Sequence, residues 1–251
     1  MTDTIHCEDL HRAVPAPRTD STSSEVMPGE IDGLRTITHA VAPGTTVELA
    51  NSAEEGRVYL FTSGRGRVDD GSTTHTIGEV ALFAPRPGTM ASVTATEALL
   101  FLELIVDLTP TDLAEFEQNE EKFPFFLSYS DCKTYRERIK SAKTVSRTLM
   151  PEHTFPRLCV GSVETTGDDR VAAHEHPMLE QLFLGLQDNE CVVHADEATA
   201  AFGEGVLLHI PLGSRHGVEV HEPHRLHYIW IDLFRNREGM QWIVQEHIEE
   251  S

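Results

Sequence analysis

Hydrophobic residues fall along this chain in short runs rich in β-branched and aromatic side chains, with turn residues between them. From Gly33 to Val106 the runs are split by Gly, Pro and an Asp-Asp-Gly turn, and Arg57–Phe61, Glu79–Phe83 and Ala98–Val106 are predicted strands. The pattern returns from Arg157 to Phe234, with strands predicted at Arg157–Val163, Glu180–Leu184, Cys191–His194, Val206–Ile210, Gly217–Val220 and Arg225–Leu233. Many short strands with regular turn signals argue for an all-β sandwich or barrel. Three stretches break the pattern. Residues 1–29 are polar, rich in Ser, Thr and Pro and without periodicity, so they read as a mobile tail. Thr109 to Lys143 opens with Pro110 and acidic residues, the chemistry of a helix start, and Asp131–Lys140 also reads helical. The last residues, from Gly239, read as a short terminal helix.

The two β regions look like copies of one unit. Arg57–Phe61 matches Glu180–Leu184, and Gly78–Gly88 matches Gly205–Gly213 with one extra residue before the proline. The chain therefore divides into a tail (1–29), a first barrel (30–108), a helical connector (109–150), a second barrel (151–238) and a terminal helix (239–251). A length of 251 residues is enough to give each barrel a core.

Charge narrows the choice of partners. A formal charge of −21 excludes broad binding to nucleic acid or to anionic membranes. No apolar run is long enough to span a bilayer and the N-terminus lacks a signal-peptide pattern, so the expected location is the cytoplasm. Cys7, Cys132, Cys159 and Cys191 form no CxxC pair, and Cys159 and Cys191 read as buried thiols. Lys133, Arg136, Arg138, Lys140, Lys143 and Arg147 make the connector locally basic. That basic stretch is either a solvated or internally paired helix face, or an oligomer contact or rim for an anionic ligand.

The candidate chemistry lies in the second barrel. His174-x-His176-x-x-x-Glu180 is followed by Gly205-x5-Pro211-x-Gly213-x-x-His216. Side chains on a strand alternate faces, so an unbroken strand points His174, His176 and Glu180 the same way. Gln181, of opposite parity, is then expected to face away. His216 follows a Pro-x-Gly turn and can be delivered by a neighbouring strand. Three imidazoles and one carboxylate converging on one point make a divalent metal site. Arg157, His209, His227 and Tyr228 are candidates for binding substrate, Arg157 as the partner of a substrate carboxylate.

These residues resemble the two motifs of the cupin superfamily, G(x)5HxH(x)3-4E(x)6G and G(x)5PxG(x)2H(x)3N. His174, His176, Glu180, Gly205, Pro211, Gly213 and His216 fall in register; Gln187 and Val220 stand where the motifs have Gly and Asn. With the repeat, the resemblance implies a bicupin: all-β, two tandem jelly-roll barrels joined by the connector, and a homodimer. It also implies a divalent metal inside the barrel, with Mn or Fe favoured and Ni, Co or Zn compatible. The reaction implied is on a small polar carboxylate or oxo-acid, of dioxygenase, decarboxylase, isomerase or hydrolase type. In the first copy the ligand positions are Asn51, Ala53, Arg57 and Ala91, so one metal per chain is expected. The alternative is a non-catalytic small-molecule binding or sensor protein. No basic helical pair of the DNA-reading kind is present at either end.

Overall fold

The computed structural model describes residues 4–176, 178–236 and 238–240. It divides into two compact units, Leu10–Cys132 and a second made of the N-terminal residues to Asp9 together with the chain from Lys133 onward. Each unit is two antiparallel sheets closed over an apolar core, the architecture the alternating runs predict. No helix among the described residues is long and apolar enough to cross a membrane.

The first unit pairs a six-stranded sheet with a four-stranded one. The larger sheet runs, edge to edge, Phe125–Ser128, Ala81–Ala84, Glu55–Ser63, Leu99–Asp107, Leu34–Val41 and Ser21–Ile31. The smaller runs Thr46–Leu49, Ala91–Ala95, Gly66–Asp69 and Thr74–Ile77. Tyr59, Phe61, Phe83 and Phe101 from the larger sheet meet Val68, Ile77 and Val93 from the smaller. A helix at Pro110–Gln118 follows, as its start signal predicts. Thr109 caps it: its hydroxyl accepts from the Asp112 amide (3.2 Å) while the Asp112 carboxylate accepts from the Thr109 amide (2.8 Å).

The second unit repeats the plan. A seven-stranded sheet runs Cys7–Asp9, Val206–Ile210, Leu179–Gly185, Arg225–Phe234, Leu158–Thr166, Val145–Phe155 and Lys133–Tyr135. The four-stranded sheet runs Asp169–His174, His216–Val220, Glu190–Ala195 and Ala198–Gly203. Phe183, Leu208, Tyr228 and Val163 of one sheet pack on Val193, Phe202 and Val218 of the other. Cys159 and Cys191 are buried thiols in this unit.

Three readings of the sequence need correction. Of the expected tail (1–29), the described residues 4–29 are not free. Cys7–Asp9 adds an edge strand to Val206–Ile210, and Ser21–Ile31 pairs with Leu34–Val41. Strand addition uses main-chain groups, so polar Ser and Thr side chains do not prevent it. Asp131–Lys140 is not a helix either. Lys133–Tyr135 pairs with Ser146–Thr148, and Lys140 bridges to Val171. The connector therefore ends at Cys132, and residues 133–150 belong to the second barrel. Of the terminal helix, Glu238–Met240 is helical, and residues 241–251 lie outside the described residues.

Candidate metal centre

Local chain geometry delivers three imidazoles to one point. His174 ends the strand Asp169–His174 and is the register partner of His216, the first residue of its neighbour. A bulge between Val171 and His174 turns the end of that strand, the role bulges take beside functional sites. Gly213, at φ 74°, makes the tight turn that returns the chain to His216; a side chain there would be strained. His176 follows two residues after His174. The ring centroids lie 4.7 Å apart for His174–His176, 4.5 Å for His174–His216 and 5.3 Å for His176–His216. One ring nitrogen from each falls within 4.8 Å of the others.

The backbone fixes how two of these rings are used. His174 Nδ1 is 2.9 Å from the Ala172 carbonyl, and His216 Nδ1 is 3.0 Å from the Ser214 carbonyl. A carbonyl only accepts, so each Nδ1 carries a proton, and in the neutral ring Nε2 is the nitrogen free to ligate. His176 and His216 are 4% and 2% exposed, and the edge of His216 meets Phe183 at 5.9 Å. Imidazoles held in orientation beside an apolar wall suit a divalent transition metal.

Glu180 does not join them, which corrects the parity argument. The strand carrying His174 ends there, and Glu180 lies on a new strand, Leu179–Gly185, in the other sheet. Its carboxylate meets His209 Nε2 at 3.2 Å and accepts from Arg235. Burial pushes that carboxyl up, but the hydrogen bonds from His209 and Arg235 outweigh it and hold the group below the usual glutamate value. Gln181, expected to face away, is the side chain of this strand that lines a cavity with His174 and His176.

The cavity is about 300 Å³. Phe183, Tyr228 and Trp230 form its apolar wall, and Tyr135, Glu137, Lys140, Gln181 and Asp232 supply polar groups. Gly161 faces Trp230 so closely that a Cβ there would lie 2.2 Å from the indole. Burial pushes the Asp232 carboxyl up to about 8, with the charges of Glu137 and Glu152 adding to the rise against the pull of Gln181 and Lys140.

Of the four residues proposed to bind substrate, Tyr228 alone lines this cavity, its ring tilted against Phe183 with centroids 4.8 Å apart. His209 pairs with Glu180. His227 faces away: its Nδ1 is 3.2 Å from the Gln187 carbonyl and its Nε2 4.0 Å from Glu164. Arg157 sits at φ 57° in the turn before Leu158–Thr166, where its carbonyl accepts from the Phe234 amide. Asp232 was missed although an acid inside the apolar run Ile229–Leu233 is a visible signal. Glu137 was missed because its segment reads as helix. Lys140 was seen only as part of a basic face.

In the first unit the positions matching the ligands are used otherwise. Asn51 donates to the Arg86 and Thr89 carbonyls, and Ala91 is buried. Arg57 pairs with Glu103 and Glu55.

No family model and no curated protein matches this chain. Solved structures do. A cupin 2 conserved barrel domain protein from Leptotrichia buccalis matches with a TM-score of 0.62 at 15% identity, covering 93% of this chain and 98% of its own. Lactobacillus farciminis oxalate decarboxylase, in a formate complex, matches with a TM-score of 0.71 at 15% identity, covering 94% and 88%. Bacillus subtilis oxalate decarboxylase, described with Mn(II) centres, matches with a TM-score of 0.65 at 15% identity, covering 94% and 79%. The fold is thus that of a cupin, in its two-barrel form.

Proposed function

We propose that this chain is a metal-dependent cupin enzyme acting on a small polar organic molecule of the carboxylate or oxo-acid class. The observation that carries the reading is the convergence of His174, His176 and His216 beside a cavity of small-molecule size. The donor set fits the group: three converging imidazoles, two of them oriented by a backbone carbonyl at Nδ1, are ligands for Mn, Fe, Co, Ni or Zn. The Mn(II) centres named for the Bacillus subtilis neighbour favour manganese. One such ion per chain is the expected stoichiometry, because Asn51, Ala53, Arg57 and Ala91 offer the first barrel no equivalent set.

His174, His176 and His216 would hold a divalent ion, which would supply Lewis-acid polarisation of a substrate oxygen. The chain's own part is to hold the imidazoles, orient the substrate and exclude water. Phe183, Tyr228 and Trp230 give the cavity its apolar side, while Gln181 and Asp232 give it hydrogen-bonding groups. Carboxylates read by neighbouring folds, such as the formate of the Lactobacillus farciminis complex, fit a cavity of this size.

Elemental analysis of purified protein beside a His174→Ala/His176→Ala variant tests the reading. About one equivalent of a transition metal, lost in the variant, is expected. No metal in either form, even after reconstitution with Mn²⁺, would refute it and leave a metal-independent binding protein.

A further inference from the structure

The cavity beside the imidazoles has two polar walls of different character. One comes from the segment that follows Lys133–Tyr135. There Lys140 Nζ donates to Glu137 Oε1 at 2.6 Å and to Ser146 Oγ at 3.0 Å, and Tyr135 hydrogen-bonds to Glu137. This wall is satisfied internally, and its buried cation already serves its own carboxylate. The other wall comes from Leu179–Gly185 and Arg225–Phe234, where Gln181 and Asp232 are register partners. They are 5% and 3% exposed and hydrogen-bond to each other. Yet Gln181 Oε1 and Asp232 Oδ1 are buried with no hydrogen-bond partner among the described residues.

Buried side-chain oxygens left unpaired in a cavity wall call for a ligand that pairs them. The amide oxygen of Gln181 only accepts, so that ligand must bring an N–H or O–H group. A second carboxylate brings neither. It would also meet Glu137 and Glu152, with Lys133 as the one lining cation among the described residues not held by a carboxylate of this wall. The rise of the Asp232 carboxyl to about 8, from burial first and then from Glu137 and Glu152, marks the same corner as hostile to a further anion.

We propose that this cavity selects small carboxylates that also carry a primary amide, with Gln181 and Asp232 as the pair that reads the amide. This rests on the reading of the second unit as a small-molecule site. An amide matches the wall because it offers N–H to Gln181 Oε1 and either N–H or C=O to Asp232, without adding charge. A site built to hydrogen-bond a group discriminates strongly against analogues that lack it.

Oxamate and oxalate make the test, since they have nearly the same size and chelating oxygens and differ in one amide. Each is titrated calorimetrically at pH 7 into Mn²⁺-loaded and metal-free protein, with metal content measured separately. Oxamate is expected to bind at least about tenfold more tightly than oxalate, the worth of one well-made hydrogen bond in a buried site. Gln181→Met, which keeps the volume and removes the amide, is expected to bring the ratio close to one. Asp232→Asn, uncharged and of the same shape, is expected to keep it. Equal or tighter binding of oxalate by the wild type overturns the proposal, as does an unchanged ratio in Gln181→Met or the failure of both acids to bind either form. A chain that takes up no metal yet prefers oxamate would refute the metal reading and keep this one. A chain that holds metal and prefers oxalate would do the reverse.

Discussion

Replacing Glu103 by Gln tests what fills the first barrel where the second has its cavity wall. Glu103 is 4% exposed and accepts from Arg57 and from His39 Nε2 at 2.8 Å. Arg57 also holds Glu55, which in turn holds Arg35. Two guanidinium groups thus face two carboxylates, and Glu103→Gln leaves one positive charge in excess. Breaking a buried pair from one side costs about 3–5 kcal/mol. Because Arg57 retains Glu55, the lower end applies, about 3 kcal/mol. Trp230 lies in the second unit, so its fluorescence reports that unit while far-UV circular dichroism reports both. In urea, Glu103→Gln is expected to move the dichroism transition to lower denaturant and to leave metal content unchanged. A loss below about 1 kcal/mol, the value of an exposed ion pair, would refute the claim that this cluster is a buried structural element. The pH dependence has a definite sign. Burial pushes the Glu103 carboxyl up, but His39 and Arg57 outweigh it and hold the folded value below the ordinary 4.5. The stabilisation is therefore fully present above that ordinary value and is lost as pH falls from it through the folded value. The wild-type transition should shift in that acid window more than the Glu103→Gln transition does.

Three further outcomes follow from the second unit. His176→Ala is expected to lose metal while Glu180→Gln keeps it, measured by elemental analysis; metal loss in Glu180→Gln would restore that carboxylate as a ligand. Free Mn²⁺ at a hundredfold excess over its dissociation constant should stabilise the second unit by about 2.7 kcal/mol in thermal melts followed by tryptophan fluorescence, and an unmoved melt would count against binding to the native state. Phe183, 2% exposed between Tyr228, Phe202 and His216, should cost about 3–5 kcal/mol when cut to Ala. A cost under about 1 kcal/mol in urea would mean that the core between the sheets is not closed around it.

The strands legible in the sequence are those whose side chains pack. Ala98–Val106 is observed as Leu99–Asp107, and Glu180–Leu184 as Leu179–Gly185, because runs of Leu, Ile, Val and Phe can be buried only by pairing into a sheet and covering it. Ser21–Ile31 and Lys133–Tyr135 were not legible, since each is held at or near a sheet edge by main-chain hydrogen bonds that leave no apolar period. The imidazoles were legible because two of them sit two residues apart and the third follows a turn marked by Pro211 and Gly213.

The fourth ligand was misread for a reason that also joins the two barrels. Counting parity from His176 to Glu180 assumes one strand, but a second strand begins at Leu179 and sets its own faces. A change of strand in a period-two pattern can exchange the inward and outward sets, which sends Glu180 to His209 and Arg235 and turns Gln181 to the cavity. The same step re-registers the repeat. In the first unit Phe61 pairs with Phe101 and Tyr59 with Glu103; in the second Phe183 pairs with Trp230 and Gln181 with Asp232. Glu103 and Asp232 therefore occupy one position of the common plan, an inward acid on the long strand of the larger sheet. Arg57 and His39 reach the first and hold it ionised, which fills that interior with internally paired polar groups. The second has Gln181 as its hydrogen-bonding neighbour and rises toward neutrality, which leaves hydrogen-bonding capacity beside three imidazoles. One duplicated position thus separates a barrel whose polar centre is internally consumed from one whose polar centre remains available to a ligand.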